Sequence, residues 1–310
     1  LSQVALVYLL LGGNFTEEYN LLLQFAAIGA FVLLYQRTRI SMGIIGFSLA
    51  LSFLLRPNNI GTHTTILAIL FFRAIKTRNV REFGRQIIWV AAGASLPLLT
   101  VFFYFSAQHA LPDLIDQIFN YNFSYLSPPL KTKLLIPISG LFQIGPSGLP
   151  LFGLFAYIFL FRPIEATTNP TTVNRLRLVA LVDLPLQVLL TSISGVDYQH
   201  YYMLWIPALT ILSGFFLTLF FDRSHFRHIP VKTIYVGLLA LICFSGMRTQ
   251  FWVFNSSRNT LPKIAAPYNY VISHSDETDT FLLCGAVTAY NFATQRKPPT
   301  SYVHQSHLCY

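Results

Sequence analysis

Apolar runs long enough to cross a lipid bilayer recur along this chain, with arginines and lysines in the breaks between them. A bilayer core takes roughly 20 residues of helix, within a range of about 17–25. Read at that length, the chain divides into an apolar remnant at Leu1–Leu11 and spans near Tyr19–Gln36, Ile40–Leu55, Asn59–Ile75, Ile87–Ser106, Leu149–Phe161, Leu176–Ser194, Met203–Phe221 and Thr233–Met247. Only 11% of the 310 residues are charged. A soluble domain normally carries about 25%, so this chain cannot clothe itself in water. The predicted fold class is an all-α polytopic membrane bundle over residues 1–247, with about eight transmembrane helices plus the remnant. The opening run has no methionine, basic flank or cleavage site, so it is read as part of an earlier span rather than a signal peptide. The expectation is therefore a longer parent chain.

The net charge of +9 would point to nucleic acid in a soluble protein, but here it follows membrane topology. Thirteen of the 21 basic residues fall in alternate connections: Arg37 and Arg39; Arg73, Lys76, Arg78, Arg81 and Arg85; Arg162, Arg175 and Arg177; Arg223, Arg227 and Lys232. The intervening connections hold only Arg56, Lys131 and Lys133. The first set is predicted to be cytoplasmic by the positive-inside rule, which places the C-terminal tail outside. No nucleic-acid partner is expected.

This orientation gathers polar residues at one mouth. Glu17, Glu18, Asp113, Asp116 and Asp197 join Arg56, His200 and the tyrosines Tyr121, Tyr125, Tyr198, Tyr201 and Tyr202 on the outer side. Residues 111–125 read as an amphipathic surface helix, with Leu111, Leu114, Ile115, Ile118 and Phe119 at helical spacing. Between Leu134 and Phe161, Pro137, Gly140, Gly145, Pro146, Gly148 and Pro150 predict either one broken span or a surface segment followed by a short span. Broken backbone at membrane depth needs protein or water around it, which makes this segment a candidate cavity wall.

Three stretches carry a family resemblance: Gly12-Gly13-Asn14-Phe15-Thr16-Glu17-Glu18-Tyr19, Leu55-Arg56-Pro57-Asn58, and Ser194-Gly195-Val196-Asp197-Tyr198-Gln199-His200-Tyr201-Tyr202 ahead of Pro207. They resemble the bacterial multi-pass C-type glycosyltransferases related to protein O-mannosyltransferases and lipid A aminoarabinose transferases. The tail is similar too, with Tyr268–Ile272, then Asp279–Gly285, then Arg296-Lys297-Pro298-Pro299. The resemblance implies a small extracytoplasmic α/β unit over residues 248–310, with a strand near Thr280–Cys284, in a multi-pass protein of the inner cell membrane. It also implies transfer of a sugar from a polyprenyl-phosphate carrier to a lipid, glycan or protein acceptor. The family's usual catalytic aspartate lies in an earlier outer loop than any in this sequence. Its Ser-Gly-Arg pattern is replaced here by Ser194-Gly195-Val196-Asp197.

The residue types suit that chemistry. A departing lipid phosphate needs a cation, and an arginine fork matches phosphate oxygens. Arg56 and His200 are the candidate carrier-phosphate residues, with interfacial anchoring as the alternative role for Arg56. Glycosyl transfer also wants a carboxylate, for which Glu17 and Glu18 are the candidates. The same pair would serve as an acidic first helical turn, with Asn14 or Thr16 as cap. Asn14, Tyr121, Tyr125, Tyr198 and Tyr201 are candidate substrate contacts. His200 stands equally well as a partner of Asp197. Asp183, inside a span, is expected to pair with Arg175 or Arg177.

No cofactor is implied, and no CxxC or His/Cys cluster suggests a metal, although a divalent ion stays open. Cys284 and Cys309 lie in the tail, where a disulfide is permitted. A multi-pass transporter would share this topology, as would an O-antigen ligase or polymerase. A transporter usually shows internal repeats, and none is found.

Overall fold

The computed structural model describes residues 15–121, 129–160 and 170–223, with short pieces at 247, 251, 268–280 and 294–297. The chain divides into two compact units, Leu1–Ser245 and Gly246–Tyr310. In the first unit the helices are α1 (Thr16–Leu33), α2 (Thr38–Leu55), α3 (Gly61–Thr77), α4 (Val80–Ala107), α5 (Leu111–Ile115), α6 (Leu130–Ile144), α7 (Leu149–Leu160), α8 (Pro170–Ile193) and α9 (Ile206–Arg223). Short 3₁₀ turns at Pro57–Ile60, Gly145–Ser147 and Gln199–Trp205 lead into α3, α7 and α9.

Four helical stretches among the described residues are long and apolar enough to cross a membrane: Thr38–Leu55, Val80–Ala107, Thr171–Ile193 and Gln199–Thr218. A fifth is added if α6 and α7, bent by 118° at Gly145–Gly148, form one broken span. Gly148 takes a left-handed φ of 74°, a conformation that suits glycine at such a fold-back. The expected spans at Tyr19–Gln36 and Asn59–Ile75 correspond to α1 and α3, which are helical but less apolar. Glu17, Glu18, Asn20 and Gln24 lie along α1, and α3 opens on Gly61-Thr62-His63-Thr64-Thr65. The remnant at Leu1–Leu11 and all of Thr233–Met247 but its last residue lie outside the described residues.

Two apolar clusters make the interior of this unit. One joins Ala27, Phe31, Met42, Ile45, Ile66, Leu70, Val90 and Val179. The other joins Ile136, Leu149, Ala156, Ala180, Leu184, Tyr202, Trp205 and Leu209. Helix α8 contributes to both, through neighbours on one face and the next. The most extensive helix pair is α2 with α4. A Cβ on Gly46 would fall 1.9 Å from the Val90 carbonyl oxygen, so only glycine lets the two backbones approach this closely. The remaining surface of α4 is apolar and exposed at Leu96, Leu98, Phe102 and Phe103, as a helix facing lipid requires.

Polar side chains stitch the helices together internally. Ser41 donates to the Ala30 carbonyl at 2.7 Å, Asn20 to the Asn59 carbonyl at 3.1 Å, and the Trp205 indole to Thr191 Oγ1 at 3.1 Å. Asp183 is fully buried and is not paired with an arginine, contrary to expectation. It accepts hydrogen bonds from Thr62 (3.0 Å), Thr65 (3.3 Å) and Gln187 (3.3 Å). Arg175 instead lies over the ring of Tyr35, 3.8 Å from its centroid. The reason is helical rise. Eight residues separate Arg175 from Asp183, or about 12 Å along the axis, so the two occupy different depths.

The expected surface helix forms in part: α5 continues as a π-helical turn over Asp116–Tyr121, with Ile115 and Phe119 exposed. Tyr125 falls outside the described residues. In the second unit, residues 268–273 are helical and Thr280 forms an isolated parallel bridge with Lys297. Arg296 is buried there and donates to the Ser275 carbonyl at 2.9 Å and the Thr294 carbonyl at 3.1 Å. Residues 281–284 of the expected strand lie outside the described residues.

One proline defect has a visible repair. Pro185 sits inside α8 and lacks the N–H that would bond the Leu181 carbonyl four residues back. The Tyr157 hydroxyl of α7 donates to that carbonyl at 3.1 Å. Tyr157→Phe is therefore expected to lower stability by about 1–3 kcal/mol, the cost of a buried unpaired carbonyl. Adding Pro185→Ala, which restores the N–H, should recover most of the loss. Thermal unfolding of the single and double variants in detergent checks this, and additive losses would refute it.

Candidate functional site

The site is built around Arg56, and its position follows from the next residue. A residue before proline is driven out of the helical region, so α2 ends at Leu55 and Arg56 leaves it extended, at φ −169° and ψ 128°. From there Arg56 Nη1 donates to Glu17 Oε1 at 2.6 Å, across the start of α1. Glu17 is 1% exposed and Arg56 21%. The second Glu17 oxygen accepts from the Thr16 hydroxyl at 3.0 Å. Thr16 is therefore not the cap of α1: Phe15 holds that position without a side-chain cap bond.

Aromatic rings from the loop after α8 close over this pair. The Arg56 guanidinium lies on the face of Tyr201, 3.8 Å from its centroid. Tyr201 meets His200 edge to face at 4.7 Å. His200 is itself layered between Phe15 (4.2 Å, 5° between planes) and Tyr198 (5.5 Å, 14°). Burial works against the Arg56 charge, but the fields of Tyr201 and Glu17 outweigh it and lift the pKa above the ordinary arginine value.

A second carboxylate sits one turn of chain away. Asp197, one of the alternative partners for His200, accepts from Tyr202 and from Ser139 at 2.5 Å each, and from Gln143 at 3.1 Å. Ser139 and Gln143 are one turn apart on α6, so this exposed aspartate ties the Pro/Gly-rich segment to the loop carrying Tyr198, His200 and Tyr201.

Five of the sequence-predicted residues thus meet: Glu17, Arg56, Tyr198, His200 and Tyr201. Glu18, the next residue along α1, is half-buried. Tyr121 ends the turn that follows α5, and Asn14 and Tyr125 lie outside the described residues. Phe15, Ser139, Gln143 and the hydroxyl of Tyr202 were not singled out as site residues from sequence. The Ser139/Gln143 spacing at i, i+4 on a Pro-interrupted helix was the available signal.

Chemically, the arrangement is a cation held in place from one side. A guanidinium has five N–H donors. Glu17 engages Nη1 and Tyr201 supports one face, while the partly exposed remainder can meet an anion. Among the described residues, no group of three or more His, Cys, Asp or Glu side chains is placed to hold a metal.

The ion pair gives a direct test. Removing one partner of a buried pair costs about 3–5 kcal/mol, because the other charge is left without compensation. Arg56→Gln and Glu17→Gln should each be strongly destabilising, and the double variant should lose clearly less than the sum of the two. A double-mutant cycle on thermal or denaturant unfolding measures this coupling, and simple additivity would show that the pair is energetically idle. Comparison with protein-family models, with curated proteins and with solved structures finds no match for this chain.

Proposed function

We propose that this chain is the membrane-embedded part of a glycosyltransferase that takes a sugar from a polyprenyl-phosphate carrier at the outer face of a bacterial inner membrane. The observation carrying this reading is a convergence. The three separate stretches behind the C-type resemblance supply Phe15 and Glu17, then Arg56, then Tyr198, His200 and Tyr201, and these side chains form one cluster. The reading includes about eight spans, in line with the number of apolar runs, and a small outer α/β unit. It places the cluster and the C-terminal tail on the same side.

In the proposed reaction the bond between the sugar C1 and the phosphate oxygen breaks, and the electron pair leaves with the lipid phosphate. Arg56 receives that charge through N–H donors not taken by Glu17. The acceptor hydroxyl oxygen bonds C1, and its proton passes to a carboxylate. Glu17 is bound to Arg56 and buried, which suits it to aiming the guanidinium rather than taking protons. The resemblance puts the proton acceptor in an earlier outer loop. Tyr198, 44% exposed at the edge of the cluster, offers a ring face to a sugar.

One observation favours the competing reading of a multi-pass transporter. Asp183 is a fully buried carboxylate within an apolar helix, held by hydroxyl and amide donors. Intramembrane ionisable groups often mark transport pathways. Exchange of labelled sugar across vesicles with no glycosyl product formed would favour that reading over transfer.

The transferase reading is tested on the protein in membranes supplied with labelled polyprenyl-phosphate sugars. Arg56→Lys keeps a charge opposite Glu17 but loses the fork, and should cut transfer at least about tenfold, the equivalent of one charge-assisted contact. Arg81→Gln, an exposed change at the far end of the helices, should leave transfer within about twofold of wild type. Equal activity of the two variants at equal expression would remove Arg56 from the mechanism. For orientation, reporter fusions after Arg78 should read as cytoplasmic and fusions after Ser257 as external.

A further inference from the structure

At the end of α2 remote from Arg56, a cavity of about 630 Å³ opens between the start of α2 and the second and third turns of α4. Its lining includes Arg37, Arg39, Ile40, Arg85, Ile88 and Trp89. We infer that this cavity is a binding site for the phosphate group of an anionic phospholipid, with Arg37, Arg39 and Arg85 as its donors.

Charge is the first argument. Three guanidinium groups border the space, and the ion pair among them is Arg85 with Glu82, at 2.7 Å and solvent-exposed. Exposed pairs of this kind bind weakly, so Arg85 is available to a better anion. Among the described residues neither Arg37 nor Arg39 has a carboxylate partner. Arg39 is nevertheless held in place, with its guanidinium 5.3 Å from the centroid of the Trp89 ring. The helix adds to this field. Arg37 occupies the cap position of α2 without a side-chain cap bond, so the first-turn N–H groups also face this end.

The second argument is the apolar rim, which selects a lipid over a soluble anion. Ile40 and Ile88 are 51% and 66% exposed beside the arginines, in the first turn of α2 and the third turn of α4, near the starts of two helices long and apolar enough to cross a membrane. A tryptophan at such a boundary marks the headgroup level of a bilayer. A phospholipid satisfies both parts at once: its phosphate meets the arginines, and its acyl chain runs along Ile40 and Ile88. Basic pockets between membrane helices bind anionic headgroups in this way. Neither argument draws on the proposed transferase activity.

The test uses the full chain reconstituted in phosphatidylcholine, with spin-labelled phosphatidylglycerol and phosphatidylcholine as probes. Wild type should hold the anionic probe several-fold more strongly. Arg37→Gln and Arg39→Gln should each lower that preference about fivefold, the effect of one basic residue at an anionic surface. Arg39→Lys keeps the charge but loses the ring contact, and should fall between wild type and Arg39→Gln. Lys76→Gln removes an exposed charge at the same end of the helices but outside the cavity, and should leave the preference unchanged. Circular dichroism of each variant confirms retained helix content. An equal loss in Lys76→Gln would show a diffuse surface field and overturn the site. Displacement of the lipid probe by inorganic phosphate alone would overturn its assignment to a lipid.

Discussion

In hydrocarbon, a backbone N–H or C=O without a partner has no water to turn to, and each costs several kcal/mol. Much of this fold can be understood as a response to that constraint. Helices satisfy most groups internally, and the defects that remain are covered by side chains from neighbouring helices. Tyr157 covers the carbonyl exposed by Pro185, and Ser41 adds a second hydrogen bond to the Ala30 carbonyl, which already accepts from the Leu34 N–H. These bonds cross between helices, so repairing a backbone defect also fixes which helices are neighbours. Polar contacts and close glycine packing then supply the attraction that the hydrophobic effect does not provide between helices in lipid.

The Arg56 cluster obeys the same logic at the edge of the apolar layer. Pro57 keeps Arg56 extended at the end of α2, which brings the guanidinium against the Glu17 carboxylate, itself only 1% exposed. An ion pair this buried contributes little net stability, since desolvation offsets most of the attraction. Its effect is geometric. Glu17 and Tyr201 leave the guanidinium few orientations, which is what an anion-binding group needs before its ligand arrives.

The sequence shows the depth of residues well and their lateral neighbours poorly. Apolar runs locate α2, α4, α8 and α9 because length and hydropathy are properties of one segment. Helices α1 and α3 are also placed, although their polar residues make them less apolar than a lipid-facing span. The same depth argument brought Glu17, Arg56 and His200 to one end of the molecule. It did not specify that Glu17 rather than Glu18 pairs with Arg56, because that depends on the rotation of α1 about its axis. Asp183 shows the opposite failure. Arg175 and Arg177 are near it in sequence, but its partners Thr62 and Thr65 come from α3, more than a hundred residues away. The Asp197 contacts to Ser139 and Gln143 depend likewise on a fold-back at Gly148 that composition signals without giving its direction.

The glycine contact between α2 and α4 has a mechanical consequence. At 1.5 Å per residue, the 18 residues of α2 make a rod of about 27 Å. Gly46 and Gly93 seat that rod backbone to backbone against α4, leaving no flexible side chains in between to absorb a slide. The two helices therefore form a stiff beam rather than a hinge. A force applied at Arg37 or Trp89 would reach Arg56 as a change in the tilt of the whole beam.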